Sequence, residues 1–433
     1  MTDTLLARFV RYARINTVSR PDAGQSPSTP GQWDLLRLLE SELRALGAAD
    51  VSLDENGYLL ATIPATSAKP SVPVVALLAH VDTAPDFNSE NIKPLVHKKW
   101  NGRPIVLPDD KRQVIDPARF PELARAKGQD IVTASGLTLL GGDDKAGVAI
   151  IMTLAAHLLA HPEIKHGPVR LCFNPDEEVA AGMDRLDLDQ LAANVAYTLD
   201  GDNPGEVVWE TFSADQAVVT IEGVSTHPGD AKKSGMLNAL HLAAKLLVAL
   251  PRENISPETT DLREGYIHPA RIEGGVDRTT IKFILRDHNT AELKLKGERL
   301  RGLCAGLQAA EPRAKITCVI HEQYRNMGDW LRQDMTPVHL AYEAVRALGL
   351  EPTSPATRGG TDGSRLTQMG LPTPNLFAGY HNPHGPQEWV VVQEMEQSLQ
   401  MCLNLLQLWE QKSNGYKGRP LKKKRAAKAR RRA

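Results

Sequence analysis

Apolar positions along the chain fall into two rhythms. The opening segment places Leu5, Leu6, Phe9, Val10 and Ala13 at helical spacing. A second helix is signalled by Thr29 as cap and Pro30 in the first turn; its stripe is Leu35, Leu39, Leu43 and Leu46, and Gly47 ends it. Val51 and Leu53, an Asn56-Gly57 turn and residues 58–63 read as a hairpin. Residues 72–79, apolar apart from Pro73, read as a strand buried on both faces. Helical spacing returns over 145–157 through Val148, Ile151, Leu154 and Ala155, followed by strands at 169–173 and 195–199. Strands alternating with helices predict an α/β domain with a mostly parallel sheet.

From about residue 212 the texture changes. A strand at 218–221, a helix over 237–250, strands at 266–272 and 280–285 joined by Gly274-Gly275, a charged helix over 291–307 and a strand at 316–320 follow one another. That βαββαβ order suits a small α+β sheet with helices on one face, inserted as a unit. The α/β texture resumes after about residue 327 and ends in a helix striped by Met395, Leu399, Cys402, Leu406 and Trp409. The expected division is 1–211 and 325–412 for one split domain, 212–324 for the insertion, and 413–433 for a disordered tail.

Composition alters this picture only at the C-terminus. The 433 residues carry 51 Lys and Arg against 52 Asp and Glu and are 42% hydrophobic, which excludes collagen, a disulfide scaffold and a wholly disordered chain. Ten of the basic residues and no acid fall in 417–433, so the rest of the chain stands near −11. Such a block either contacts polyanions or is simply solvated. The longest apolar run is far short of the ~18 residues a membrane span needs. The N-terminus lacks the build of a secretory signal. Cys172, Cys304, Cys318 and Cys402 share no CxxC spacing and read as buried thiols of a reducing compartment. A soluble cytoplasmic protein is expected.

Acidic and imidazole side chains gather at predicted strand ends, where ligands of open α/β sheets bind. His80-Val81-Asp82 closes the buried strand, with the two side chains on one side of it. Gly141-Gly142-Asp143-Asp144-Lys145 joins strand to helix, Asp176-Glu177-Glu178 and Asp200-Gly201-Asp202 follow further strands, and His381-Asn382-Pro383-His384 follows Asn375-Leu376-Phe377. Taken singly, Asp143 or Asp144 is an ordinary helix cap and Glu177-Glu178 a solvated loop. Jointly they describe a carboxylate–imidazole metal site suited to zinc, with manganese or cobalt as alternatives, and without the Cys of a structural zinc. The spacing does not choose between His381 and His384.

These residues carry a resemblance. His80-Val81-Asp82, Gly142-Asp143-Asp144-Lys145-Ala146-Gly147, Pro175-Asp176-Glu177-Glu178-Val179, Tyr197-Thr198-Leu199-Asp200-Gly201 and His227-Pro228-Gly229 are similar to motifs of the co-catalytic dizinc peptidases and acylases. Pro27-Ser28-Thr29-Pro30-Gly31-Gln32 and Arg358-Gly359-Gly360-Thr361-Asp362-Gly363 narrow the likeness to the peptidase T family, over residues 5 to about 411. The resemblance implies a zinc-peptidase catalytic domain interrupted by a lid or dimerisation domain. It implies two Zn²⁺ per subunit: one on His80, Asp143 and Asp200, the other on Asp143, Glu178 and His384, with Asp143 bridging. Asp82 corresponds to the residue orienting His80, and Glu177 to the general base. A cis peptide is implied at Asp143-Asp144. His227 resembles a histidine that reaches an active site across a homodimer, and Asn238, Arg286 and Arg358 align with substrate contacts. Read as residues, Asn238 equally suits a helix cap and Arg286 an ion pair with Asp287. Gly142 stands where the family often has Ala.

The function implied is removal of the N-terminal residue from tripeptides, by attack of a water held between the metals and activated by Glu177. The alternatives are a dipeptidase, a carboxypeptidase or an N-acyl amino acid hydrolase on the same site, or a silent homologue that only binds peptides.

Overall fold

Six consecutive buried residues, Val75–His80, form the central strand of a seven-stranded sheet. The computed structural model describes residues 3–251, 253–412 and 415–421. It divides into two compact units, Met1–Val208 with Trp330–Ser354 and Thr361–Ala433, and Trp209–Asp329 with Pro355–Gly360. No helix among the described residues is long and apolar enough to cross a membrane.

In the first unit the sheet runs Ala49–Leu53, Leu59–Ile63, Val169–Asn174, Val75–His80, Val195–Gly201, Asn375–Phe377, Val207–Val208. The four inner strands are parallel and the flanking pairs antiparallel. The sheet is therefore mixed, and its parallel centre is the one that the alternation of strands and helices predicts. The Asn56-Gly57 connection is too short for a parallel crossover, so Ala49–Leu53 and Leu59–Ile63 pair as the hairpin that the turn predicts. One face is covered by Gly142–Ala160, buried nearly all round because it also packs on Leu5–Ala13, Pro30–Leu46 and Val392–Lys412. The opposite face buries Tyr58, Leu60, Leu78, Cys172, Leu191 and Leu366.

A small second sheet in this unit, Tyr380–His381, Trp389–Val391, Ile131–Thr133 and Leu95–His97, has strands of two or three residues. These are too short for any periodicity to show, and the sequence reading contains none of them.

The second unit is a four-stranded antiparallel sheet ordered Tyr266–Gly274, Arg278–Asp287, Ser213–Glu222, Lys315–Tyr324. Ala217, Val219 and Ile221 alternate inward from Ser213–Glu222 and meet Leu242 and Leu246 of Ala239–Ala249 and Leu293 and Leu300 of Thr290–Ala310. Pro355–Gly360 belongs here, although the sequence reading kept it in the split domain. Thr357 bridges to Thr211, and Arg358 donates to the carbonyls of Leu262 and Glu264. Residues so far apart in sequence leave no local trace of the contact.

The tail expected to be unpacked from residue 413 begins instead with an anchored stretch. Tyr416 lies edge-on to Trp409, and Arg419 bonds the carbonyl of Asn194 through its amide and Asp189 through its guanidinium. Residues 422–433, most of the basic block, lie outside the described residues.

Candidate metal centre

Parallel pairing sets the site. His80 is in register with Asn174, and Leu78 with Thr198, so strand ends carrying His80, Asp176–Glu178 and Asp200 lie side by side. Asp143 and Asp144 occupy the turn entering Gly142–Ala160 with non-helical torsions, and the peptide between them is cis. His384, at φ 66°, lies in the loop between the short strands Tyr380–His381 and Trp389–Val391.

Two triads of side chains share Asp143. His80 Nε2 is 2.9 Å from Asp143 Oδ1 and 3.6 Å from Asp200 Oδ1. His384 Nε2 is 3.5 Å from Asp143 Oδ2 and 3.1 Å from Glu178 Oε2. One oxygen of Asp143 thus faces each triad. Asp144 also brings a carboxylate oxygen within 4.8 Å of His80 and Asp200, but its Oδ1 accepts the Gly147 N–H, as a first-turn carboxylate does.

Both imidazoles are held from behind. His80 Nδ1 lies 3.1 Å from the Asp82 carbonyl and 3.3 Å from its carboxylate, and His384 Nδ1 lies 3.2 Å from Asp86. That leaves Nε2 of each ring directed into the cluster, the atom a metal would take. His381 points elsewhere: it is buried, stacks on Trp389 and pairs with Glu394 at 2.6 Å. The structure therefore brings His384, not His381, to the acidic cluster.

The electrostatics are those of crowded carboxylates. Burial, opposed by Asp143, Asp200 and Asp82, leaves the His80 imidazolium favoured well above its usual range. Hydrogen bonds to Asp143 and Glu178 hold His384 up to about 11, and burial with Asp143 beside it pushes Glu178 up to about 8. Burial, then the Asp362 charge, pushes Glu177 well above the usual carboxylate range. Glu178 Oε1 and Asp144 Oδ2 are buried with no hydrogen-bond partner among the described residues. A buried carboxylate oxygen of Glu178 without a partner, beside two imidazoles whose Nε2 atoms face the cluster, fits divalent cations, which would take those donors and offset the crowded carboxylates.

The other expected site residues lie in the second unit. His227 accepts the Gly229 N–H on Nδ1. Asn238 caps Ala239–Ala249 by accepting the Leu240 N–H, the structural alternative for it. Arg286 donates to the carbonyls of Asp215 and Leu285 and lies over Tyr324, while Asp287 pairs with Lys296 rather than with Arg286. Arg358 is sandwiched near Phe212 and Tyr266 and donates to Leu262, Glu264 and Thr260.

Several residues to which the sequence assigns no role support the site. Tyr380 donates its hydroxyl to Asp200 Oδ1 at 2.9 Å, and the Asn375 side chain grips both the amide and the carbonyl of Asp200. Asp176, at φ 60°, accepts from Ser28 and from Gln32, whose carbonyl accepts the Asp176 N–H in return. Asp362 is buried against Asn174 at 2.6 Å and pushed up to about 7 by burial. Ser28, Gln32 and Asp362 fall inside the two stretches that narrowed the resemblance. Asn375 falls inside Pro374-Asn375-Leu376-Phe377, a further stretch similar to the family, whereas Tyr380 had no sequence signal beyond proximity to a strand end.

The profile described as Peptidase family M20/M25/M40 matches residues 141–408. A peptidase T of Geobacillus thermodenitrificans is 42% identical over 96% of this chain and all of its own length. One of Clostridium botulinum is 42% identical over 94% of this chain and 98% of its own. Among solved structures, a tripeptidase of Staphylococcus aureus superposes with TM-score 0.72 at 21% identity, and an aminopeptidase PepT of Bacillus cereus with 0.71 at 21%. Each covers 94% of this chain and 98% of the other. A dinuclear metal-binding M20 peptidase of Bacillus subtilis follows at 0.63 and 15% identity, covering 93% and 97%.

Proposed function

The chain belongs to peptidase family M20/M25/M40, and from that footing we propose that it is a dizinc aminopeptidase releasing the N-terminal residue of tripeptides. The observation that carries this reading is the pair of triads sharing Asp143, each with one imidazole Nε2 and a second carboxylate. In the proposal His80, Asp143 and Asp200 hold one metal, Asp143, Glu178 and His384 the other. Mixed imidazole and carboxylate donors without Cys make zinc the metal proposed.

Two such cations supply, when bound, Lewis-acid polarisation of a peptide carbonyl and a water of lowered pKa. Glu177 takes the proton of the attacking water and returns it to the leaving amine. Burial, then the Asp362 charge, raises the Glu177 carboxyl above the usual carboxylate range, the direction that strengthens it as a base. Asp82 fixes the orientation of His80 through Nδ1 and holds the loop of Glu177 by accepting its amide. As part of the same reading the protein is a homodimer in which His227 serves the other subunit's site, and Arg286 and Arg358 stand as proposed substrate contacts. Polyanion contact through the basic tail is a separate proposal; it predicts salt-sensitive nucleic-acid binding lost on deleting residues 413–433.

The test is release of the N-terminal residue from a free tripeptide by the zinc-loaded protein. The N-acetylated tripeptide, the matching dipeptide and tetrapeptide, and Glu177→Ala run beside it. Cleavage of the free tripeptide alone, reduced ~10²–10⁴-fold in the variant with zinc content unchanged, is expected. Equal cleavage of the acetylated peptide would move the assignment to the acyl hydrolases, and preference for the dipeptide to the dipeptidases.

A further inference from the structure

Glu388 follows His384 by four residues and precedes strand Trp389–Val391. It is 1% exposed. Its Oε2 accepts the N–H of Leu140 at 2.7 Å and of Gly141 at 2.8 Å, and its Oε1 accepts the N–H of Asp143 at 3.0 Å. The mechanism above does not use it.

These amides belong to the turn that delivers Asp143. They stand at or before the first turn of Gly142–Ala160, where backbone N–H groups have no partner within the helix and carry its positive end. A buried carboxylate is the acceptor that satisfies them most strongly. The approach is shaped from the other side as well. A Cβ on Gly142 would meet Val390 Cγ2 at 2.6 Å, Tyr380 Cβ at 2.9 Å and Glu388 Oε1 at 3.0 Å. Absence of a side chain at residue 142 lets the turn sit against the segment that bears both Glu388 and His384.

We propose that Glu388 is a positioning residue for the metal centre: it fixes the main chain of Asp143 against the His384 loop, so that the two Asp143 oxygens fall between His80 and His384. It acts through the Asp143 backbone and not as a ligand. The proposal rests on the reading of Asp143 as a metal ligand.

The experiment measures zinc affinity by chelator competition on wild type, Glu388→Gln and Asp143→Asn, with circular dichroism and thermal unfolding of the apoproteins as the check on fold. Gln keeps one acceptor oxygen and turns an NH₂ toward an N–H, so zinc affinity is expected to fall ~10–100-fold while the fold is kept. Excess zinc is expected to restore most of kcat. If Asp143→Asn loses zinc but Glu388→Gln binds as tightly as wild type, whatever its melting temperature, the positioning role is overturned and the reading of Asp143 stands. If Asp143→Asn binds zinc like wild type, that reading fails and this proposal with it. Should Glu388→Gln not fold, Glu388→Asp, one methylene shorter, takes its place: weakened zinc binding supports the role and unchanged binding overturns it.

Discussion

The carboxylate of Asp82 accepts the backbone N–H of Glu177 at 3.0 Å. Its other oxygen accepts the N–H of Glu178 at 3.1 Å, and its carbonyl and carboxylate both lie beside His80 Nδ1. One buried residue therefore ties an imidazole on one strand end to the backbone of Glu177 and Glu178 on the next. Asp82→Asn leaves a single acceptor oxygen for two amides and puts an NH₂ against one of them. Metal affinity is expected to fall ~10–100-fold, with a loss of kcat at saturating metal because Glu177 is released too. Chelator competition and steady-state kinetics check the two effects separately; a kcat unchanged at saturating zinc would disprove the link to Glu177.

His384 and His381 make opposite predictions. His384→Ala removes an Nε2 that faces Asp143 and Glu178, so one metal equivalent is expected to be lost with little change in apoprotein stability. His381→Ala strips the partner from buried Glu394 and the stacked ring from Trp389. It is expected to cost about 3 kcal/mol of stability, as a buried charged acceptor left unpaired does, while both metals are retained. Metal content by atomic emission and unfolding in urea distinguish the two.

Gly142→Ala introduces the residue the resemblance favours at this position into a space that does not admit it. Its Cβ would overlap Val390, Tyr380 and the Glu388 carboxylate. Repacking of this kind is expected to cost about 1–3 kcal/mol. Thermal unfolding of the apoprotein measures it; an unchanged melting temperature would show that the Val390 side has room to yield.

Two histidines far in sequence from the two triads contribute stability that acid removes. His166 and His288 are buried, each has Nδ1 at a backbone carbonyl, of Gly167 and Thr211 respectively, and each Nε2 has no partner among the described residues. Burial lowers both from the ordinary value of 6.5. The folded state then binds fewer protons than the unfolded chain, so the stability they contribute is complete above that value and is lost as pH falls through the folded pKa values. The His166 share is read as a difference: between pH 7.5 and 5.5 the melting temperature of wild type is expected to fall relative to that of His166→Gln. An equal drop in the variant would remove His166 from the account.

Much of this protein is legible without coordinates because the information is short in range. The βαββαβ order of the inserted unit, the hairpin at Asn56-Gly57 and the helix ending at Val392–Lys412 follow from periodicity and turn residues a few positions apart. The acidic and imidazole residues announce themselves because strand ends are where such types have work to do. The structure extends several elements beyond their periodic cores, as Ser213–Glu222 outruns residues 218–221, since paired backbone continues past the residues that pack.

Chain folding alone decided the rest. It selected His384 over His381, since only the turn between two very short strands determines which ring faces Asp143 and which faces Glu394. It returned Pro355–Gly360 to the second unit, gave Arg419 a partner in Asp189, and set Glu388 under a turn some 245 residues earlier in the chain. Each of these is a contact between segments remote in sequence, and its energy comes from hydrogen bonds and packing that no local pattern encodes. Residue types at strand ends determined the chemistry available to this protein; pairing of distant segments determined which of those residues meet.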